Sequence, residues 1–248
     1  MFSLMQNELQ RIPKQKMLLI WLGAVSAISI ITGIILMGLA NDGRILSLVA
    51  ENTDYVVMGN QSEDVWLGWP IVAAMFGTLF TKATFLIFEG FLISSVIVDE
   101  FKNRTINQLF SYPIKRSLII WSKVLVVVLV AFVAIYSAQI AIHAIIKFTA
   151  IFTGHDFNLA FSDILELGIS SIGITLVGLI PMIFGMIKYS SVGTMVSSVV
   201  VAILICNAFP GTLAANLINS TPFTLISSVI SLLLVSITVS AIAKNDVL

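Results

Sequence analysis

The sequence predicts an all-α membrane protein of six transmembrane helices, and three features carry that prediction. Apolar side chains make up 58% of the 248 residues and charged ones only 10%, where soluble domains carry about 25% charged residues. Mean hydropathy is +1.05, the reverse of the polar, highly charged composition that keeps a chain disordered. The apolar residues also gather into runs long enough to cross a bilayer, at roughly 20 residues per crossing. Six such runs fill the length as a single domain, 1–248, and leave little room for a soluble catalytic domain. Thirteen basic residues balance thirteen acidic ones, so net charge gives no reason to expect nucleic acid. The lone Cys206 provides neither a disulfide nor a Cys-based metal site.

The runs follow in order. Residues 17–39 form a charge-free stretch with no small-residue cleavage site after it, which reads as a retained helix rather than a signal peptide. The second span, 70–98, contains Lys82 and Glu89, and the third, 118–142, has Lys123 near its start. The fourth, 164–187, opens with Glu166 and holds Pro181, whose missing N–H is expected to kink it. From Tyr189 to Ala243 there are 55 residues without a charge. One helix cannot use so many in a hydrocarbon layer about 30 Å thick. This stretch therefore crosses twice, at 192–208 and 223–243, with a break from Asn207 to Pro222 that includes Pro210, Gly211, Asn216 and Asn219.

Basic residues orient these spans. Arg11, Lys14 and Lys16, then Lys102, Arg104, Lys115 and Arg116, then Lys188 and Lys244 fall in alternate connections, against only Arg44 and Lys147 in the others. The positive-inside rule then puts both termini in the cytoplasm of a cell whose plasma membrane holds the chain. Trp66 and Trp69 fit an interfacial aromatic belt on the outer side.

Three segments are not plain spans. Phe2, Met5, Leu9 and Ile12 form one apolar face of a helix that lies flat in the headgroup region until Pro13 ends it, the plainer reading being a frayed tail. Asp99 to Ser117 places Ile106, Leu109, Phe110 and Pro113 on one face behind acidic residues that suit a helix start. Such a short amphipathic helix either lies on lipid or plugs into a soluble partner. Asn207 to Pro222 is half apolar and uncharged, so it either returns into the membrane under a cover of protein or makes a simple outer turn.

The run Glu100, Arg104-Thr105, Leu109, Ser111-Tyr112-Pro113, Arg116 and Lys123 resembles the coupling segment of type-2 ATP-binding-cassette (ABC) export permeases. That family's pattern has an acidic residue, a Gly-Thr pair, a Leu-rich turn, a Pro, a basic residue and a Lys opening the next span. Arg104 stands here in place of the usual Gly. The six-span order, the flat amino-terminal helix and the interrupted fifth-to-sixth connection match as well. The resemblance implies a single transmembrane permease domain with an interfacial amino-terminal helix, a cytoplasmic coupling helix and a re-entrant segment between spans five and six. It implies a coupling role for Glu100, Phe101, Arg104, Thr105, Ile106, Leu109, Phe110, Pro113 and Arg116, docked on a cytoplasmic ATPase present in two copies. It further implies a second permease, the same or a homologous chain. ATP and Mg would belong to the ATPase, since the chain has no G-x-x-x-x-G-K-[ST] and binds no cofactor of its own. The compact chain looks most like small exporters of amphipathic or antimicrobial peptides, including bacteriocin-immunity and phenol-soluble-modulin exporters. Lipid, drug or ion export is the alternative within the family, and an ATPase-independent channel or secondary carrier the alternative outside it.

Charges within the spans need partners, because a lone one near the bilayer centre costs about 2.5–3.5 kcal/mol on insertion scales. Lys82 and Glu89 lie seven residues apart and share a face. Lys123 is expected to reach Glu89, as a packing ion pair or as part of the transport path. Ala73, Gly77 and Thr81, and Thr194, Ser198 and Ala202, form small-residue stripes that suit either a dimer seam or packing within the chain. His143 and His155 flank the outer end of span three and read as surface histidines. Enzyme readings fail on the residues. Ser170 has no His following it on a neighbouring span, Glu100 and Arg104 of an E-x-x-x-R pair lie in a hydrophilic segment without His ligands, and HExxH is absent.

Overall fold

The computed structural model describes residues 14–41, 69–106, 115–154, 157, 160–207 and 221–244. Within them the chain is helical throughout: α1 (Lys14–Asn41), α2 (Trp69–Ile93) continuing through a π-helical turn (Ser94–Val98) into α3 (Asp99–Lys102), α4 (Arg116–Thr153), α5 (Phe161–Val177), α6 (Ile180–Ile187), α7 (Ser191–Asn207) and α8 (Thr221–Lys244). Helices are the expected outcome, since each satisfies its own backbone polar groups where no water is present. Five stretches are long and apolar enough to cross a membrane: Met17–Leu39, Trp69–Lys102, Arg116–Thr153, Phe161–Ile187 and Thr224–Ala243. The chain is thus a multi-pass membrane protein. The expected fifth span is the shorter α7, whose 17 residues rise about 25 Å against a core of about 30 Å.

The apolar surface is outward as well as inward. Ile30, Met37, Val133, Phe184, Leu204 and Leu233 are exposed, as lipid contact requires. Two internal clusters hold the bundle together. One, toward the Trp69 end, joins Val25, Val72, Phe85, Leu86, Ile135 and Ile142. The other, toward the Glu100 end, joins Ile93, Ile97, Phe101, Ile120, Leu179 and Val235. Both small-residue stripes are buried inside the chain, so they serve packing within it. Gly90 lies directly against Ser198, and Gly77 against Ile142, where a Cβ would collide.

Span four is two helices rather than a kinked one. α5 ends at Val177 and α6 begins at Ile180, with Pro181 in its first turn. Pro181 has no N–H to give the carbonyl of Val177, and the chain crosses the gap with tighter bonds, Leu179 N–H to Leu176 O at 3.4 Å and Met182 N–H to Leu179 O at 3.0 Å. The Ser231 hydroxyl donates to the Leu176 carbonyl at 2.6 Å and braces the gap from α8.

The flat amino-terminal helix, Trp66 and the acidic loop, Leu109, Phe110 and Pro113, His155 and most of the Asn207–Pro222 connection lie outside the described residues.

Candidate functional site

After the π-helical turn, α3 lasts four residues and the chain turns back at Asn103–Thr105. The turn is closed by Asn103 N–H to Asp99 O at 2.9 Å, Arg104 N–H to Phe101 O at 3.2 Å, and the Thr105 hydroxyl to Glu100 O at 3.2 Å. Arg104 takes φ +57°, a left-handed conformation that glycine adopts without penalty and other residues reach at a cost of about 1–2 kcal/mol. Glycine is the residue this backbone suits best, and arginine holds it here.

Three consecutive residues tie the turn to three parts of the bundle. Asp99 accepts a short hydrogen bond from the Ser191 hydroxyl at the start of α7. Glu100 Oε1 lies 2.9 Å from Lys123 Nζ on α4. The Phe101 ring stacks on Tyr189, with centroids 5.8 Å apart and planes 5° from parallel. Tyr189 itself takes φ +48° in the link between α6 and α7. The turn is therefore attached to α4, to the α6–α7 link and to α7 together.

These contacts revise two expectations. Lys123 pairs with Glu100 and not with Glu89. Glu89 lies eleven residues, about 16 Å, further along its helix from Glu100, while Lys123 sits two turns into α4 at the level of the turn. Phe101 and Ile106 are buried among bundle side chains, so they anchor the segment instead of presenting a docking face. Lys102, Asn103, Arg104 and Thr105 are the exposed residues of the turn, and Arg116 is half-buried.

Lys82 and Glu89 do share a buried face of α2, as their spacing indicates. Lys82 is acted on by the carboxylate of Glu166, on α5. At that level Gln139 is fully buried, its Oε1 accepting from the Ser171 hydroxyl at 3.2 Å. His143 Nδ1 donates to the Gln139 carbonyl at 2.8 Å. The histidine is thus inside the bundle and not at its surface, because α4 continues ten residues beyond it to Thr153. Seven residues deeper, Glu89 meets Gly178 in the α5–α6 gap, where a side chain would overlap its carboxyl.

Sequence reading passed over Gln139, Ser171 and Gly178. The available signals were weak: a single amide in an apolar run, and a glycine three residues before a proline. Among the described residues, no group of three or more His, Cys, Asp or Glu is arranged to hold a metal ion.

Residues 4–206 match the family described as ABC-2 family transporter protein. The uncharacterized protein YcbO of Bacillus subtilis is 28% identical over 137 residues, which is 53% of this chain and 60% of that protein. The chain thus spans less than two thirds of that relative's length. No solved structure matches.

Proposed function

Since the chain belongs to the ABC-2 family of transporter proteins, we propose that it is the membrane-spanning permease subunit of an ATP-driven exporter. In this reading the Asp99–Thr105 turn faces the cytoplasm, both termini lie on that side, and a separate ATPase supplies ATP hydrolysis. Two ATPase copies and a second permease, identical or homologous, complete the assembly. The observation that carries the reading is the triple attachment of residues 99–101 to Ser191, Lys123 and Tyr189. A rigid turn with an exposed polar tip is what a subunit needs if it is to receive a push from a soluble partner and spread it over several spans. In this reading the half-apolar, uncharged Asn207–Pro222 connection returns into the membrane and closes the pathway on the outer side.

The substrate assigned in this reading is an amphipathic, cationic peptide, expelled from the cytoplasm or the membrane. Its support is the charge of the outer connection from Ala40 to Trp69, with five acids against one arginine. Lipid, drug or ion is the alternative cargo. The test is purification of the tagged chain from its own membranes. An attached ATPase whose hydrolysis rises with added peptide is expected, and Leu109→Asp or Phe110→Asp should weaken the attachment while leaving insertion intact. A chain that purifies without an ATPase and still transports would replace this reading with an ATPase-independent carrier, for which the interrupted span four is the favouring feature.

A further inference from the structure

Glu89 is fully buried, and among the described residues neither of its carboxyl oxygens has a hydrogen-bond partner. Among the described residues its surroundings hold no free counter-charge. On its own helix Lys82 stands two turns away and is acted on by Glu166. On α4 Lys123 is closed on Glu100, His143 belongs to the Gln139 level, and Tyr136 stacks on Phe132. On α1 the stretch 17–39 carries no charge. From α5 to α8 there is no Asp, Glu, Lys, Arg or His in residues 167–187 or 189–243; Tyr189 is engaged by Phe101, and Cys206 is the other titratable side chain there.

What Glu89 faces is the gap in span four. Its carboxyl occupies the space left by the missing side chain of Gly178, between the last turn of α5 and the first of α6. The site lies twenty residues, about 30 Å, from Trp69 and eleven residues, about 16 Å, from Glu100, well inside the apolar layer. An ionised carboxylate sealed here without a partner is penalised by desolvation, which a bound proton removes. Interrupted helices in mid-membrane are also where carriers hold their coupling ions, because they bend and open to water on demand.

We propose that Glu89 is a proton-binding site of the transport cycle. The carboxyl holds its proton while sealed against Gly178, and exchanges it with water when the α5–α6 gap changes its bend. The step is a simple proton release and uptake at one carboxyl oxygen, with no bond to cargo and no electron transfer. The inference rests on the transport reading, and it gives span four a task that the ATPase-linked turn does not.

Infrared difference spectroscopy on the purified chain, alone and with its ATPase in vesicles, tests it. Wild type is expected to show a carboxylic-acid carbonyl band at neutral pH that diminishes during MgATP turnover. The band should vanish in Glu89→Gln and move in Glu89→Asp. A pH-sensitive dye inside the vesicles should register proton movement that Glu89→Gln abolishes. The proposal is overturned if the band is the same in wild type and Glu89→Gln, if turnover leaves it unchanged, or if sodium rather than pH governs the cycle through Glu89. Loss of the band result with ATP-driven export intact sinks the proton site alone. Absence of any ATPase sinks the exporter reading, while the band in the isolated chain still reports on Glu89.

Discussion

Lys123, on the second turn of α4, reaches Glu100 at 2.9 Å, with the lysine side chain 1% exposed and the glutamate side chain 17% exposed. Because Glu100 is flanked by Asp99 and Phe101, each held elsewhere, this ion pair is the central one of three attachments. Removing either partner leaves the other charge in a largely apolar site, which costs about 3 kcal/mol for a buried pair. Glu100→Gln and Lys123→Ala should each lower the thermal midpoint of the purified chain, and the double variant should lose less than their sum. Strict additivity would mean that the pair contributes nothing jointly. Combining Glu89→Gln with Lys123→Ala should instead be additive within about 0.5 kcal/mol, since those two sites do not meet.

Arg104 offers a gain. Its φ of +57° suits glycine, so Arg104→Gly should raise the stability of the isolated chain by about 1 kcal/mol. Arg104→Val, β-branched and strained there, should lower it. Thermal unfolding without the ATPase separates this backbone effect from any contact the arginine makes with a partner. Equal midpoints for all three chains would count against the turn.

Gly178 and Glu89 are expected to behave as one unit. Gly178→Ala puts a methyl group where the Glu89 carboxyl sits, and overpacking of this kind costs about 1–3 kcal/mol. Glu89→Ala in the same chain should restore part of the loss by vacating the space. Protease resistance in detergent reports both changes, and a double variant no better than Gly178→Ala would refute the contact.

The acids of the Ala40–Trp69 connection test the proposed cargo. Neutralising Glu51, Asp54, Glu63 and Asp64 together removes four negative charges from the Ala40–Trp69 connection. Export of cationic peptides should fall, neutral and anionic peptides should be little affected, and raising the salt should mimic the change, because exposed charges are screened over about 8–10 Å. Transport assays with a matched peptide series decide it. Equal handling of every peptide would leave the exporter reading but remove the peptide assignment.

Composition and run length alone determined that this chain is a helical membrane protein, because a bilayer admits so few backbone arrangements that 20-residue apolar runs settle the matter. Pro181 likewise marked where span four is disturbed, since a missing N–H acts locally wherever the helix is placed, but it read as a kink and only the structure showed two helices. The pairing of charges was a different kind of question. Lys82, Glu89 and Lys123 are legible as residues in need of partners, yet which carboxylate Lys123 meets depends on how far α4 slides along α2, and no local rule fixes that offset. Packing fixed it, as where Gly77 of α2 lies against Ile142 of α4. The packing of α2 on the α5–α6 gap likewise set Glu89 against Gly178, a contact between residues 89 positions apart that only the assembled helices bring together.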